Sequence, residues 1–142
     1  MPPSIANSGG AMIAVDTNVV IRFLTGDDPE QAQRARMLVA QQEVWVSLTV
    51  LLETEWVLRR LYRLKPALVA AALRRFAGLR TVTVENEQVL ASALEWCERG
   101  IDFADALHLA AAEGCDGFVT FDAPLVKAAH RIGVAGVAQP RP

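Results

Sequence analysis

The sequence is poor in the residues that build covalent frameworks and soft-metal sites. Of its 142 residues only two are Cys and two are His. Cys97 and Cys115 offer neither a disulfide framework nor a metal-ligand spacing, so reduced thiols and a cytoplasmic setting are expected. No apolar run approaches the roughly 20 residues needed to span a bilayer, and no membrane partner is expected. Residues 1–10 lack the basic and apolar regions of a signal peptide, so residues 1–11 read as a disordered lead-in, with Met12 as an alternative start. Charge of one sign is lacking too. The 14 Lys and Arg against 16 Asp and Glu leave a net charge of −2, which argues against whole-molecule attraction to nucleic acid. Without internal repeats or a linker, the length fits one domain, expected over residues 12–138 with a tail at 139–142.

Apolar residues are abundant. They make up 52% of the chain, and the mean hydropathy is +0.24. Such a balance fits either an Ala- and Leu-rich core or apolar surface shared with a partner. Charge is also unevenly placed. Arg59, Arg60, Arg63, Lys65, Arg74, Arg75 and Arg80 follow one another between Trp56 and Glu85 with no acid among them. That stretch suits a solvated helix face, a phosphate backbone or an acidic partner peptide.

The chain is organised around Met12-Ile13-Ala14-Val15-Asp16-Thr17-Asn18. An apolar run of strand length ends there in a carboxylate, a hydroxyl and an amide, where a covered strand would stop and a helix start. Phe118 to Phe121 followed by Asp122 repeats the arrangement. Between them the pattern predicts a short helix over 19–24, a second from Asp28-Pro29 to about Gln42 and a strand at Val44–Val46. A helix capped by Ser47 or Thr49 follows to about Leu64, then another over 66–76 and a strand at Thr81–Val84. Helices are expected from Asn86 to Cys97, from Asp102 to Glu113 and from Ala123 to Ala129, and a last strand within Gly133–Val137. Strands alternating with helices imply an α/β fold, a mainly parallel sheet of four to five short strands flanked by helices. The carboxyl edge of such a sheet is where chemistry is placed.

Each notable acid has an ordinary reading. Asp16 and Asp122 suit helix caps, and Asp102 with Asp105 suits a variant capping box. Glu53 and Glu55 lie roughly 200° apart on their helix, both at edges of its apolar arc. Glu55 has Arg59 four residues on, in the favourable acid-first order. Glu53 has Trp56 and Val57 there, so its carboxylate needs another partner, and a metal ion would serve. Read as a set, Asp16, Glu53, Asp105 and Asp122 would gather at one sheet edge. Like charges collected so make sense only with a cation or shared protons. With oxygen donors alone, that cation would be Mg²⁺ or Mn²⁺, not zinc.

The segments Val15-Asp16-Thr17-Asn18, Leu51-Leu52-Glu53-Thr54-Glu55-Trp56-Val57-Leu58, Asp102-Phe103-Ala104-Asp105-Ala106-Leu107 and Val119-Thr120-Phe121-Asp122 occur in an order and spacing that resembles PIN-domain ribonucleases. The resemblance is strongest to the VapC toxins of bacterial toxin–antitoxin pairs, and it covers Met12 to about Val137. It implies an Mg²⁺-dependent endoribonuclease whose catalytic and metal-binding acids are Asp16, Glu53, Asp105 and Asp122. Thr17, Asn18 and Thr120 would be supporting groups, and Asp102 a cap with a second-shell role. It also implies an RNA substrate, a VapB-like antitoxin and a homodimer, for which Trp45, Trp56 and Tyr62 offer surface. Arg22, Arg59, Arg60 and Arg63 are candidates to hold the RNA backbone. His108, one turn beyond Asp105, reads as a packed or hydrogen-bonded side chain. A receiver-like Mg²⁺-binding signalling module would need a second acid after Asp16, where Thr17 and Asn18 stand. A haloacid-dehalogenase-like phosphatase would need one at Asn18. A PIN scaffold that binds RNA without cutting it is the remaining alternative.

Overall fold

Alternating strands and helices are what the computed structural model contains, and it describes residues 11–142. All of the expected lead-in except Ala11 lies outside the described residues. The elements are β1 (Met12–Ala14), α1 (Thr17–Thr25), α2 (Pro29–Gln41), β2 (Glu43–Val46), α3 (Leu48–Arg60), α4 (Pro66–Ala77), β3 (Val82–Val84), α5 (Glu87–Glu98), α6 (Phe103–Ala111), β4 (Phe118–Val119), α7 (Ala123–Arg131) and β5 (Val137–Ala138). The described chain divides into two compact units, one up to Glu87 and one from Gln88 onward.

In the first unit the three strands are parallel in the order β1-β2-β3. Ile13 lies opposite Val44, and Val44 opposite Val82. Val44 and Val46 of the central strand β2 are buried, and so are Val82 and Val84 of the edge strand β3, as expected of a covered parallel sheet. Helix α1 packs against α2 and α3, and α3 against α4. Their contact faces supply Val20, Leu51, Leu58, Val69 and Leu73, each at most 1% exposed. Phe23 meets Phe76 edge-on at a centroid distance of 5.5 Å. In the second unit β4 and β5 pair in parallel, Phe118 opposite Val137, and α7 packs beside β5. Phe118 N–H donates to Gly136 O at 2.8 Å. A Cβ on Gly117 would stand 3.2 Å from that same oxygen, so a larger residue there would push the strands apart by a few tenths of an ångström.

The α/β class and the parallel strands are as expected, but the strands form a three-stranded and a two-stranded sheet instead of one. Several boundaries also differ from the periodicity: β4 ends at Val119, not Phe121, α6 ends at Ala111, not Glu113, and two further differences have a visible backbone cause. Helix α3 stops at Arg60, short of Leu64, because the chain turns through a left-handed Arg63 (φ 57°). Lys65, before Pro66, is held extended at ψ 144°. The last strand falls at Val137–Ala138 because Gly133 and Gly136 adopt φ of 84° and 81°, which interrupts the earlier stretch. Leu51 is fully buried and Leu61 is 66% exposed. Leu51→Ala should therefore cost about 2–5 kcal/mol in urea unfolding, and Leu61→Ala less than about 0.5 kcal/mol.

Candidate active site

A strand that ends in Asp hands its carboxylate to the helix that follows. Asp16 caps α1 by accepting Val19 N–H at 3.3 Å. Asp122 caps α7 by accepting Leu125 N–H at 3.0 Å, and Asp102 caps α6 by accepting Asp105 N–H at 3.4 Å. Thr120 fixes the approach to Asp122, its hydroxyl accepting Asp122 N–H at 3.0 Å. Three of the acids singled out in the sequence thus have the structural role that capping chemistry gives them.

Within the first unit the structure joins α1 to α3 through polar side chains. Thr17, 8% exposed, donates a short hydrogen bond from its hydroxyl to Glu53 Oε1. The residue after Asp16 therefore holds the carboxylate of Glu53. The two glutamates of α3 separate as their spacings suggested. Glu55 is 4% exposed and accepts Arg59 Nε at 2.9 Å. Glu53 is exposed at the surface. Asn18 is exposed at the start of α1. Arg22 and Arg59 are both engaged by acids, whereas Arg60 and Arg63 are exposed.

In the second unit Asp105 lies within electrostatic reach of both Asp102 and Asp122. Partial burial raises the Asp105 carboxyl above the ordinary aspartate value, the charges of Asp102 and Asp122 raise it further, and His108 opposes them. That is the signature of an anionic cluster short of a counter-charge. His108 is exposed, not packed. The acids of the expected quartet thus fall into two local groups, Asp16 with Glu53 through Thr17, and Asp105 with Asp122. Among the described residues, no group of three or more His, Cys, Asp or Glu side chains stands ready to hold a metal ion. The donor set nonetheless fits Mg²⁺, which keeps several waters and is commonly held through only one or two carboxylates.

Reading by spacing missed a further polar assembly. Arg22 Nη1 donates to Asp27 Oδ1 at 3.1 Å and to the Tyr62 hydroxyl at 3.3 Å, and its Nε donates to Gln31 at 2.9 Å. Tyr62 in turn donates to Asp27. Above all the Tyr62 hydrogen bond, aided by Thr25 and the charge of Arg22, holds the Asp27 carboxyl below its ordinary range. Only the five-residue spacing of Arg22 and Asp27 hinted at this. Tyr62 is 35 residues beyond Asp27, and local pattern does not connect them.

The fold is α/β with parallel strands, and carboxylates stand at the starts of α1, α6 and α7. The PIN domain family matches residues 13–131, and the chain belongs to that family. PIN domains are typically Mg²⁺- or Mn²⁺-dependent nucleases. No individual curated protein matches the chain closely.

The raised Asp105 carboxyl has a definite sign. Its folded pKa exceeds its unfolded value, so ionising it costs stability above the folded pKa, and that cost disappears as pH falls below the unfolded one. Bound Mg²⁺ needs the ionised form. Thermal stabilisation by saturating Mg²⁺ should be about 1–3 kcal/mol near pH 8, and should shrink towards pH 5. Asp105→Asn should raise the metal-free melting temperature slightly, the gain limited by solvent screening, and remove most of the Mg²⁺ response. Differential scanning fluorimetry with and without Mg²⁺ across that pH range reads both effects.

Proposed function

We propose that this protein is an Mg²⁺-dependent endoribonuclease that acts as the toxin of a VapBC-type pair, with Asp16, Glu53, Asp105 and Asp122 as its working acids. The observation that carries this reading is the pair of local acid groups in a chain of the PIN family. Glu53 is oriented by Thr17 beside Asp16, and Asp105 is loaded with uncompensated negative charge by Asp102 and Asp122. Asp16, Asp105 and Asp122 are the proposed metal ligands, direct or water-mediated, and Glu53 would bind metal or orient the attacking water. When bound, Mg²⁺ supplies positive charge to the phosphate and lowers the pKa of water.

The protein's own groups divide the remaining tasks. The cap bonds at Asp16 and Asp122 fix each carboxyl by one oxygen before any ligand arrives. Thr17 fixes one oxygen of the exposed Glu53 carboxylate. The Asp102 carboxylate supports Asp105 by accepting its backbone N–H. The exposed guanidinium groups of Arg60 and Arg63 would hold the RNA backbone, whereas Arg22 and Arg59 are engaged by Asp27 and Glu55. A receiver module is set aside, since receivers place their first strand inside the sheet, whereas β1 here pairs only with β2 among the described residues.

The same reading supplies partners. Trp56, Leu61 and Leu68 expose 48%, 66% and 58% of their surface on or beside α3 and α4. That apolar area suits a VapB-like antitoxin and a homodimer. Tyr62 is occupied by Asp27 and Arg22, so this surface centres on Trp56.

Purified protein should cleave single-stranded RNA only with Mg²⁺ or Mn²⁺. Asp16→Asn and Asp105→Asn should each lower the rate about 100-fold or more with the circular dichroism spectrum unchanged. Cleavage that survives excess EDTA would overturn the mechanism. Expression of the wild-type chain in bacteria should arrest growth, and Asp16→Asn should not. Wild-type expression without arrest would refute the toxin role while leaving the nuclease standing.

A further inference from the structure

We propose that the groove between α1 and α2 seats one unpaired nucleotide of the RNA, with its base laid against the guanidinium plane of Arg22; this rests on the ribonuclease reading above. The groove encloses about 410 Å³, the size of a small-ligand site, and lies wholly within the first unit. Val19, Ala35 and Leu38 form its apolar walls, and Asn18, Gln31 and Arg34 bring polar groups to it.

Arg22 is what gives the groove a recognisable chemistry. A guanidinium meant to grip phosphate keeps its donors free for the ligand. Here Nε is committed to Gln31, Nη1 is committed to Asp27 and Tyr62, and the charge is answered by Asp27. The result is a planar cationic group fixed at the groove wall by hydrogen bonds at its edge, its side chain 29% exposed and its face assigned to stacking. Unpaired RNA bases are recognised in this way, on aromatic rings or on Arg planes. Single-strand grooves combine such platforms with a cation for the backbone. Arg34 fits that second role. Its contact with Glu30 is 3.8 Å long between side chains 75% and 83% exposed, too weak to hold it from a phosphate.

The position along α1 links the groove to the chemistry. Asn18 lies two residues past Asp16 and Arg22 six. At roughly 1.5 Å per residue, the platform sits about 9 Å along the helix from the Asp16 end. That is the span of two to three stacked nucleotides at about 3.4 Å each. A base seated on Arg22 would therefore lie close to the bond cut at Asp16 and bias which sequence is cleaved.

The test reads binding without catalysis. Methyl resonances of the metal-free full chain are followed while each of the four nucleoside 5′-monophosphates is added, with ribose 5-phosphate as the base-free comparison. Val19 and Leu38 methyls should shift with at least one nucleotide and far less with ribose 5-phosphate. Arg22→Lys keeps the charge but loses the plane, and should weaken that nucleotide about 5- to 150-fold. Arg34→Ala is at the surface and should weaken the monophosphate severalfold while leaving the uncharged nucleoside unaffected. An equal response to ribose 5-phosphate would overturn the proposal. So would unchanged affinity in both variants, or groove methyls that respond only to a co-expressed protein partner. RNA cleavage by a protein whose groove is silent would fail the groove alone. Nucleotide binding in the groove of a protein that cuts no RNA would fail the ribonuclease reading and leave the groove.

Discussion

The constraint on which the structure turns is the junction between a parallel strand and the helix after it. Backbone N–H groups at a helix start have no partner within the helix, and a residue that leaves an extended strand is in the right conformation to supply one. Asp16 and Asp122 do so with a carboxylate, and Ser47 does so with a hydroxyl at 3.1 Å from Val50 N–H; Asp102 supplies the same cap between two helices, α5 and α6. A carboxylate has two oxygens, and the cap uses one. The fold thereby positions anionic oxygens at the starts of helices, where the helix dipole tolerates them. A site for a hard cation can grow from features the helices need anyway.

The second unit shows the limit of that tolerance. One capping acid at a helix start is favourable, but two further acids acting on a third are not. The consequence appears at Asp105, whose carboxyl is both partly desolvated and surrounded by like charge. Glu55 shows the opposite solution. It is deeper than any acid of the proposed quartet, yet it is neutralised within its own helix by Arg59. Of the two glutamates two positions apart on α3, one is complete and the other is held by a hydroxyl with its charge unanswered.

Much of this could be read from the sequence. Strand-to-Asp-to-helix punctuation located β1, α1, α2, β2 and α7 closely, because Asp, Ser, Pro and Gly act locally and their effects are visible in the residues themselves. The separation of Glu53 from Glu55 was legible for the same reason, since i,i+4 pairing is a local rule. What was not legible depends on distant contacts or on backbone handedness. Nothing local announces that Arg63 turns left-handed and ends α3, or that Gly133 and Gly136 delay the last strand. The division of five strands into a sheet of three and a sheet of two is set by pairing between distant segments. The Arg22, Asp27 and Tyr62 assembly closes across 35 residues, and composition gave only an apolar α1 and an acidic turn. Reading Arg22 as a backbone contact followed from its charge. Its committed hydrogen bonds give it a different character.

Capping also decides which acids a lineage can afford to lose. Asp16 and Asp122 would be retained by selection for folding alone, because the helices they open need them. Glu53 and Asp105 cap nothing, and Asp105 burdens the fold with unbalanced charge. In descendants that had abandoned cleavage, these two positions would drift first, leaving a domain that still displays strand-end aspartates as relics of its architecture.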